Sequence, residues 1–194
     1  MATQKSSLKK NYILDKAKEV FITNGFAKVT MKDIVEACGI SRGGLYRYFG
    51  STKEIFLALF QRDAREDLEK MEVALWENLS AREILLDYME QQKKVILGAK
   101  PTLSTAAYEF FLENPEDRLI FQWQFDGISE MLREVIEYGN HRKEFVVDNP
   151  ASYARHLALF LNSMHLSAPL LNFPEQRIGE NFDILLEPIF QYAL

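Results

Sequence analysis

The chain has 194 residues, 47% of them hydrophobic, enough for one mid-sized domain or a small domain joined to a larger one with a sizeable core. No run of about 18 apolar residues exists, which excludes a transmembrane helix, and the polar, basic start "MATQKSSLKK" does not read as a signal peptide. The net charge of −5 hides an asymmetry: residues 1–53 carry ten Lys/Arg against four Asp/Glu, or +6, and the remainder carries 13 against 24, or −11. A basic head on an acidic body points to a polyanion bound at one end, although charge alone also allows a chance fluctuation.

Helical periodicity recurs along the chain and period-two alternation does not, so the fold class is all-α. In "YILDKAKEVFITNG" Ile13, Leu14, Ala17, Val20 and Phe21 share one helix face, which Gly25 ends. Thr30 caps a short helix with Met31, Ile34, Val35 and Cys38 on one side, and Gly39 stops it. Ser41 caps a third helix to about Phe49. A long helix is expected over about 52–78. Ser80 with Glu83 forms a capping box for a fifth helix to about Leu97. Pro101 interrupts before "TLSTAAYEFFLE". Asn114-Pro115 and Asn149-Pro150 open two more helices, the first ending near Gly139 and the second stopped by Pro169. The last helix starts near Pro174, with Pro188 expected to kink it. That makes about nine helices, divided into a head, 1–51, and a body, 52–194, with helix four as the link.

Helices two and three meet in a tight "CGIS" turn, as in a helix-turn-helix unit, with Ile34, Cys38, Ile40, Leu45 and Tyr48 spaced to pack them together. Helices this short need helix one as the third side of a small core. The third helix, "SRGGLYRYF", spends two adjacent glycines in its first turn, at about 1 kcal/mol each for a helix interior. At 100° per residue, with Leu45 at the buried pole, Gly43 and Arg47 fall on the opposite side and Tyr46 beside them, while Tyr48 lies nearer the core. Gly43 therefore sits where a helix in the major groove comes nearest to DNA, and a bare backbone there can turn N–H groups toward phosphate. Arg47 can read guanine with two hydrogen bonds, Arg42 can reach a base or a phosphate, and Tyr46 a phosphate or a thymine methyl. The bland alternative is that Gly43-Gly44 is a flexible loop.

Residues 13–49, "ILDKAKEVFITNGFAKVTMKDIVEACGISRGGLYRYF", resemble the DNA-binding domain of TetR/AcrR-type bacterial regulators. The matching positions are Ala17, Phe21, Gly25, Phe26, Thr30, Ile34, Gly39, Ser41, Gly43, Leu45, Tyr46 and Phe49. The resemblance covers about the first quarter of the chain and implies nine helices: three that bind double-stranded DNA, a linking fourth, and a ligand-binding and dimerisation domain. It implies phosphate contacts from Thr30 and Tyr46, with Ser41, Arg42, Gly43, Gly44, Arg47 and Tyr48 on the groove side or its edges. Two features depart from the usual pattern. Gly44 replaces a small hydroxyl or alanine, and "GST" puts three residues between Phe49 and Lys53 where two are commoner, so the register of Lys53 toward phosphate is open. The resemblance also implies that the last two helices pair with a second copy. Their apolar surplus permits it, with Ile178, Phe182, Leu185, Ile189 and Tyr192 along one side of the final helix.

In the body, "PEDRLIFQWQFDGISEMLREVIEYG" is apolar almost all round, as expected of a helix surrounded by others. Aromatic residues cluster here and nearby, which suits an apolar pocket with a few polar groups. The candidate lining residues are Tyr88, Gln92, Tyr108, Phe111, Trp123, Phe125, Phe160, Met164 and His165; ordinary core packing is the competing account of each. Three scattered histidines and one cysteine, Cys38, give no metal-ligand spacing, no cofactor fingerprint is present, and no catalytic constellation emerges. The expected function is a cytoplasmic, homodimeric transcriptional regulator, a repressor released from a palindromic operator by a small apolar ligand. The alternative is a DNA-bound dimeric adaptor that recruits a protein without an effector.

Overall fold

The computed structural model describes residues 2–98 and 103–190, with side chains from Ser6 onward. Nine α-helices and no strands occur among the described residues: α1 Ala2–Asn24, α2 Met31–Cys38, α3 Arg42–Tyr46, α4 Thr52–Trp76, α5 Ala81–Leu97, α6 Leu103–Glu113, α7 Arg118–His141, α8 Pro150–Leu170 and α9 Glu175–Phe190. A 3-10 turn, Pro115–Asp117, leads into α7. The caps follow from chemistry legible in the sequence. The Thr30, Ser41, Ser51 and Ser80 hydroxyls each accept from the N–H three residues on, and Asp33 and Glu83 complete capping boxes.

The α3 and α8 boundaries differ from expectation. α1 starts eleven residues ahead of Ile13, where the polar lead-in contains no proline or glycine to break it. α3 stops at Tyr46 and not near Phe49, since Arg47 and Tyr48 tighten into a turn as Gly50-Ser51 begins the cap of α4. Pro169 does not stop α8 but sits in its last turn, which the Leu171 N–H closes onto Ser167. α9 runs through Pro188, and one turn before it the Leu185 carbonyl accepts from the Tyr153 hydroxyl. Tyr192 and Pro101 lie outside the described residues.

Buried side chains fall into two cores. The first joins Ile13, Ala17 and Phe21 of α1, Ile34 and Cys38 of α2, Leu45 of α3 and the start of α4, through Ile55, Phe56 and Leu59. It also takes in Phe110 and Phe111 of α6, edge-on to Phe26 and Phe60 respectively. The second is built by α5, α7, α8 and α9 with Met71 from the far end of α4. α4 therefore belongs to both. α7 is surrounded only over its C-terminal half, Met131 to Gly139; Leu119 and Trp123 on its first half face solvent, because no helix covers that side.

One contact in the second core leaves no room at all. A Cβ on Gly139 would stand 2.9 Å from the Ala81 side chain and inside the ring of the fully buried Phe145. The Gly139 carbonyl also accepts from Glu144 and Phe145, so the loop is tied to this turn. Gly139→Ala is expected to lower unfolding stability by about 1–3 kcal/mol, read as a reduced urea midpoint with unchanged slope.

Candidate DNA interface and the cavity beneath it

α3 presents its expected faces. Leu45 is fully buried, whereas Arg42, Gly43, Tyr46 and Arg47 are exposed and Tyr48 is half-buried against the first core. A Cβ on Gly43 would meet nothing within 4 Å, so its outward face is open; one on Gly44 would come within 3.2 Å of Ser41 Oγ, the cap atom. Behind α3, Gly39 ends α2 in the left-handed region at φ 60°, and the Tyr12 hydroxyl donates to the Cys38 carbonyl at 3.0 Å, tying α1 to the turn. Burial pushes the Cys38 thiol up from its ordinary pKa, which leaves it a packing residue and not a reactive one.

Two residues expected on the DNA side have partners in the protein. The Thr30 hydroxyl donates to Asp33 Oδ2 at 2.7 Å within its capping box, and this bond is the main reason the Asp33 carboxyl is held below its usual range. Lys53 Nζ lies 2.7 Å from Glu116 and 2.6 Å from Asp117, gripping the 3-10 turn ahead of α7. The three-residue spacing after Phe49 thus aims Lys53 at the body. A second tether runs from α6: Glu109 accepts from the Phe26 N–H at 2.8 Å. The carboxylate approaches so closely that a side chain at Gly25, itself at φ 76°, would collide with it. Only glycine fits there, for both conformation and space.

Beneath the head lies a cavity of about 580 Å³, walled by α4, α5, α6, α7 and α8 and by Lys18 and Ile22 of α1. Of the expected lining residues, Tyr88, Gln92, Tyr108, Phe125 and His165 reach it. Four do not. Phe111 is packed into the first core, Met164 and Phe160 into the second, with Phe160 edge-on to Phe182, and Trp123 is 67% exposed. What sequence reasoning missed is the polar rim: Lys18, Asp63, Glu66, Asp67, Lys70 and Gln124. The charged ones, on α1 and α4, read as ordinary solvated charges, and of these only Asp63 and Asp67 are drawn in toward the cavity wall.

The inner polar groups form a chain. Gln92 Nε2 donates to Asp67 Oδ2 at 3.3 Å, and Gln92 Oε1 lies 2.9 Å from His165 Nε2. Because a carboxylate can only accept, Asp67 fixes the amide with its oxygen toward histidine, so His165 carries its proton on Nε2. Burial pushes the His165 pKa down to about 4, keeping the ring neutral at neutral pH. Burial, helped by the Asp67 charge, also drives the Tyr88 phenol far up. Among the described residues no cluster of His, Cys, Asp or Glu could hold a metal ion, and no helix is long and apolar enough to cross a membrane.

Comparison with known proteins agrees with the helix-turn-helix geometry. The family model described as bacterial regulatory proteins, tetR family, matches residues 13–59. An uncharacterized HTH-type transcriptional regulator of Bacillus subtilis (strain 168), YfiR, is 30% identical over 187 residues, spanning 92% of this chain and 90% of its own. The chain belongs to the TetR family. Among solved structures, reduced NemR of E. coli superposes with a TM-score of 0.79 at 17% identity, covering 93% of this chain and 97% of its own. A TetR-family regulator from Agrobacterium tumefaciens gives 0.78 at 22%, covering 95% and 98%. The protein is thus a TetR-family helix-turn-helix transcriptional regulator and not an enzyme. The family match ends at Leu59, the last fully buried α4 residue of the first core, so it extends into the first turns of α4.

Proposed function

We propose that the protein is a cytoplasmic homodimeric repressor that occupies a palindromic operator and leaves it when a small ligand fills the cavity. The observation that carries this reading is the position of α6. Its Tyr108 and Ala107 face the cavity, its Phe110 and Phe111 are built into the head's core, and its Glu109 holds the Phe26 backbone. A ligand that displaces α6 therefore pulls on the head directly. It shifts the equilibrium only insofar as it binds the operator-incompetent conformation more tightly. The head is residues 1–51 and the body 52–194, with α4 shared. Arg42, Gly43, Gly44, Tyr46 and Arg47 face the groove, Thr30, Ser41 and Tyr48 border it, and Lys53 reaches phosphate only by leaving Glu116 and Asp117. In a dimer through α8 and α9 two α3 helices meet half-sites about one turn of DNA apart.

Selection from random duplexes is expected to return an inverted repeat, and the small-molecule fraction of a cell extract to release it. Glu109→Gln keeps the side chain's size but gives up a charge-assisted hydrogen bond. It is expected to leave operator affinity within about threefold, because the glutamine amide oxygen can still accept from the Phe26 N–H, while weakening ligand-driven release about tenfold, consistent with a coupling of 1–3 kcal/mol. Fluorescence anisotropy of labelled operator, with and without ligand, reads both; unchanged release in the variant removes Glu109 from the coupling path.

A further inference from the structure

We propose that the cavity takes a lipophilic cation, an amine or ammonium group on an aromatic or alicyclic body, with the charge set against Asp67. This names the ligand class for the ligand-responsive reading and rests on it for biological meaning. The rim carries both signs of charge, but not symmetrically. The side chains of Asp63 and Asp67 are 20% and 33% exposed, while their partners Lys18 and Lys70 are 43% and 60% exposed. The carboxylates form the wall and the lysines hang into solvent, where water screens them more strongly. The Lys70–Asp67 pair is also loose, at 3.5 Å. Asp63 is held by Lys18 at 2.6 Å and by the Arg62 guanidinium at 3.1 Å, which leaves Asp67 as the inward carboxylate with only a loose, solvent-exposed cation beside it, and its charge is felt as far as the Tyr88 hydroxyl.

Deeper in, the buried Gln124 Oε1 accepts no hydrogen bond among the described residues and so calls for a donor. An incoming ammonium offers up to three N–H groups to such a surface, while an incoming carboxylate offers none and faces Asp67. The remaining walls are Phe60, Tyr108, Phe121 and Phe125, whose ring faces and edges suit an apolar body and add cation–π attraction for the head.

Phenylbutylamine and phenylbutyrate have similar shape and opposite charge, and isothermal titration calorimetry on the full-length protein at neutral pH compares them. The amine is expected to bind at least about tenfold more tightly than the carboxylate. Asp67→Asn should bring the two within about threefold, and Lys70→Gln, which removes a competing cation at an exposed position, should tighten the amine. A carboxylate that binds as tightly as the amine, no binding of either probe, or an amine indifferent to both substitutions overturns the proposal. The operator-release assay separates the two claims. Amine that binds without releasing operator sustains the cation site and defeats the ligand-release reading; release by the carboxylate alone does the reverse.

Discussion

Gly43→Leu is expected to abolish operator binding and leave the fold intact. The two halves of that result have separate causes. A Cβ on Gly43 meets nothing within 4 Å beyond its own helix turn, so a side chain there can point away from the protein, and replacing glycine in a helix gains up to about 1 kcal/mol in propensity. Thermal melting followed by circular dichroism should therefore show a midpoint equal to or above that of the parent. In the proposed docking, the open space that makes the substitution harmless to the fold is the space the DNA occupies, because Gly43 lies opposite the buried Leu45 on α3. A leucine there holds the helix off the groove and removes the short contacts of Arg42, Tyr46 and Arg47 together. Gly44→Ala is the matching control. Its Cβ presses on Ser41 Oγ at 3.2 Å, so its effect should appear first in stability, through the cap, and only secondarily in affinity. Anisotropy titrations at low salt measure both variants. Parental affinity for Gly43→Leu would mean that another face of α3 meets the DNA.

What could be read from the sequence is what depends on near neighbours. Thr30 with Asp33 and Ser80 with Glu83 announce their helices because a cap is settled within four residues. The faces of α3 follow from the period alone once Leu45 is taken as buried. The cavity is a different kind of object. Its walls come from α1 and from α4 to α8, so no local pattern distinguishes Phe125, which reaches it, from Phe160, which packs on Phe182 instead. Trp123 was expected in the pocket because α7 is apolar all round, but apolar character says that a face can be buried, not that a neighbour is there to bury it. Glu109 and Lys53 were invisible as tethers for the same reason: Phe26 lies 83 residues from Glu109 along the chain, and Glu116 lies 63 from Lys53. These long-range polar contacts are among those that join head and body, so the proposed coupling is the part that the sequence hides most completely.

The second large effect is expected at the proposed dimer face. α9 lies on the body through Ile178, Phe182, Leu185 and Ile189, all buried at i, i+4, i+7 and i+11, yet Ile184 on its other side is 70% exposed. Leu159 on α8 is 54% exposed, and Leu170 and Leu171 extend the apolar surface at the end of that helix. A two-fold seam brings each such residue in twice, so one substitution places two like charges in it. Ile184→Glu combined with Leu159→Glu is expected to give a folded monomer, because exposed positions tolerate such changes within about 0.5 kcal/mol in the monomer itself. Losing the second head removes the effective concentration that links the two half-sites. Operator affinity should then fall by about 10²–10⁴-fold, while binding to an isolated half-site stays at the parental single-head value. Sedimentation equilibrium reports the assembly and half-site anisotropy the head. Val73→Glu, at an exposed apolar position near the end of α4, is the control that should change neither. A double variant that still sediments as a dimer would exclude α8 and α9 and move the seam to the other exposed apolar surface, around Leu119 and Trp123 on α7. There the two heads would sit at a different spacing, and the operator's half-site separation would have to change with them.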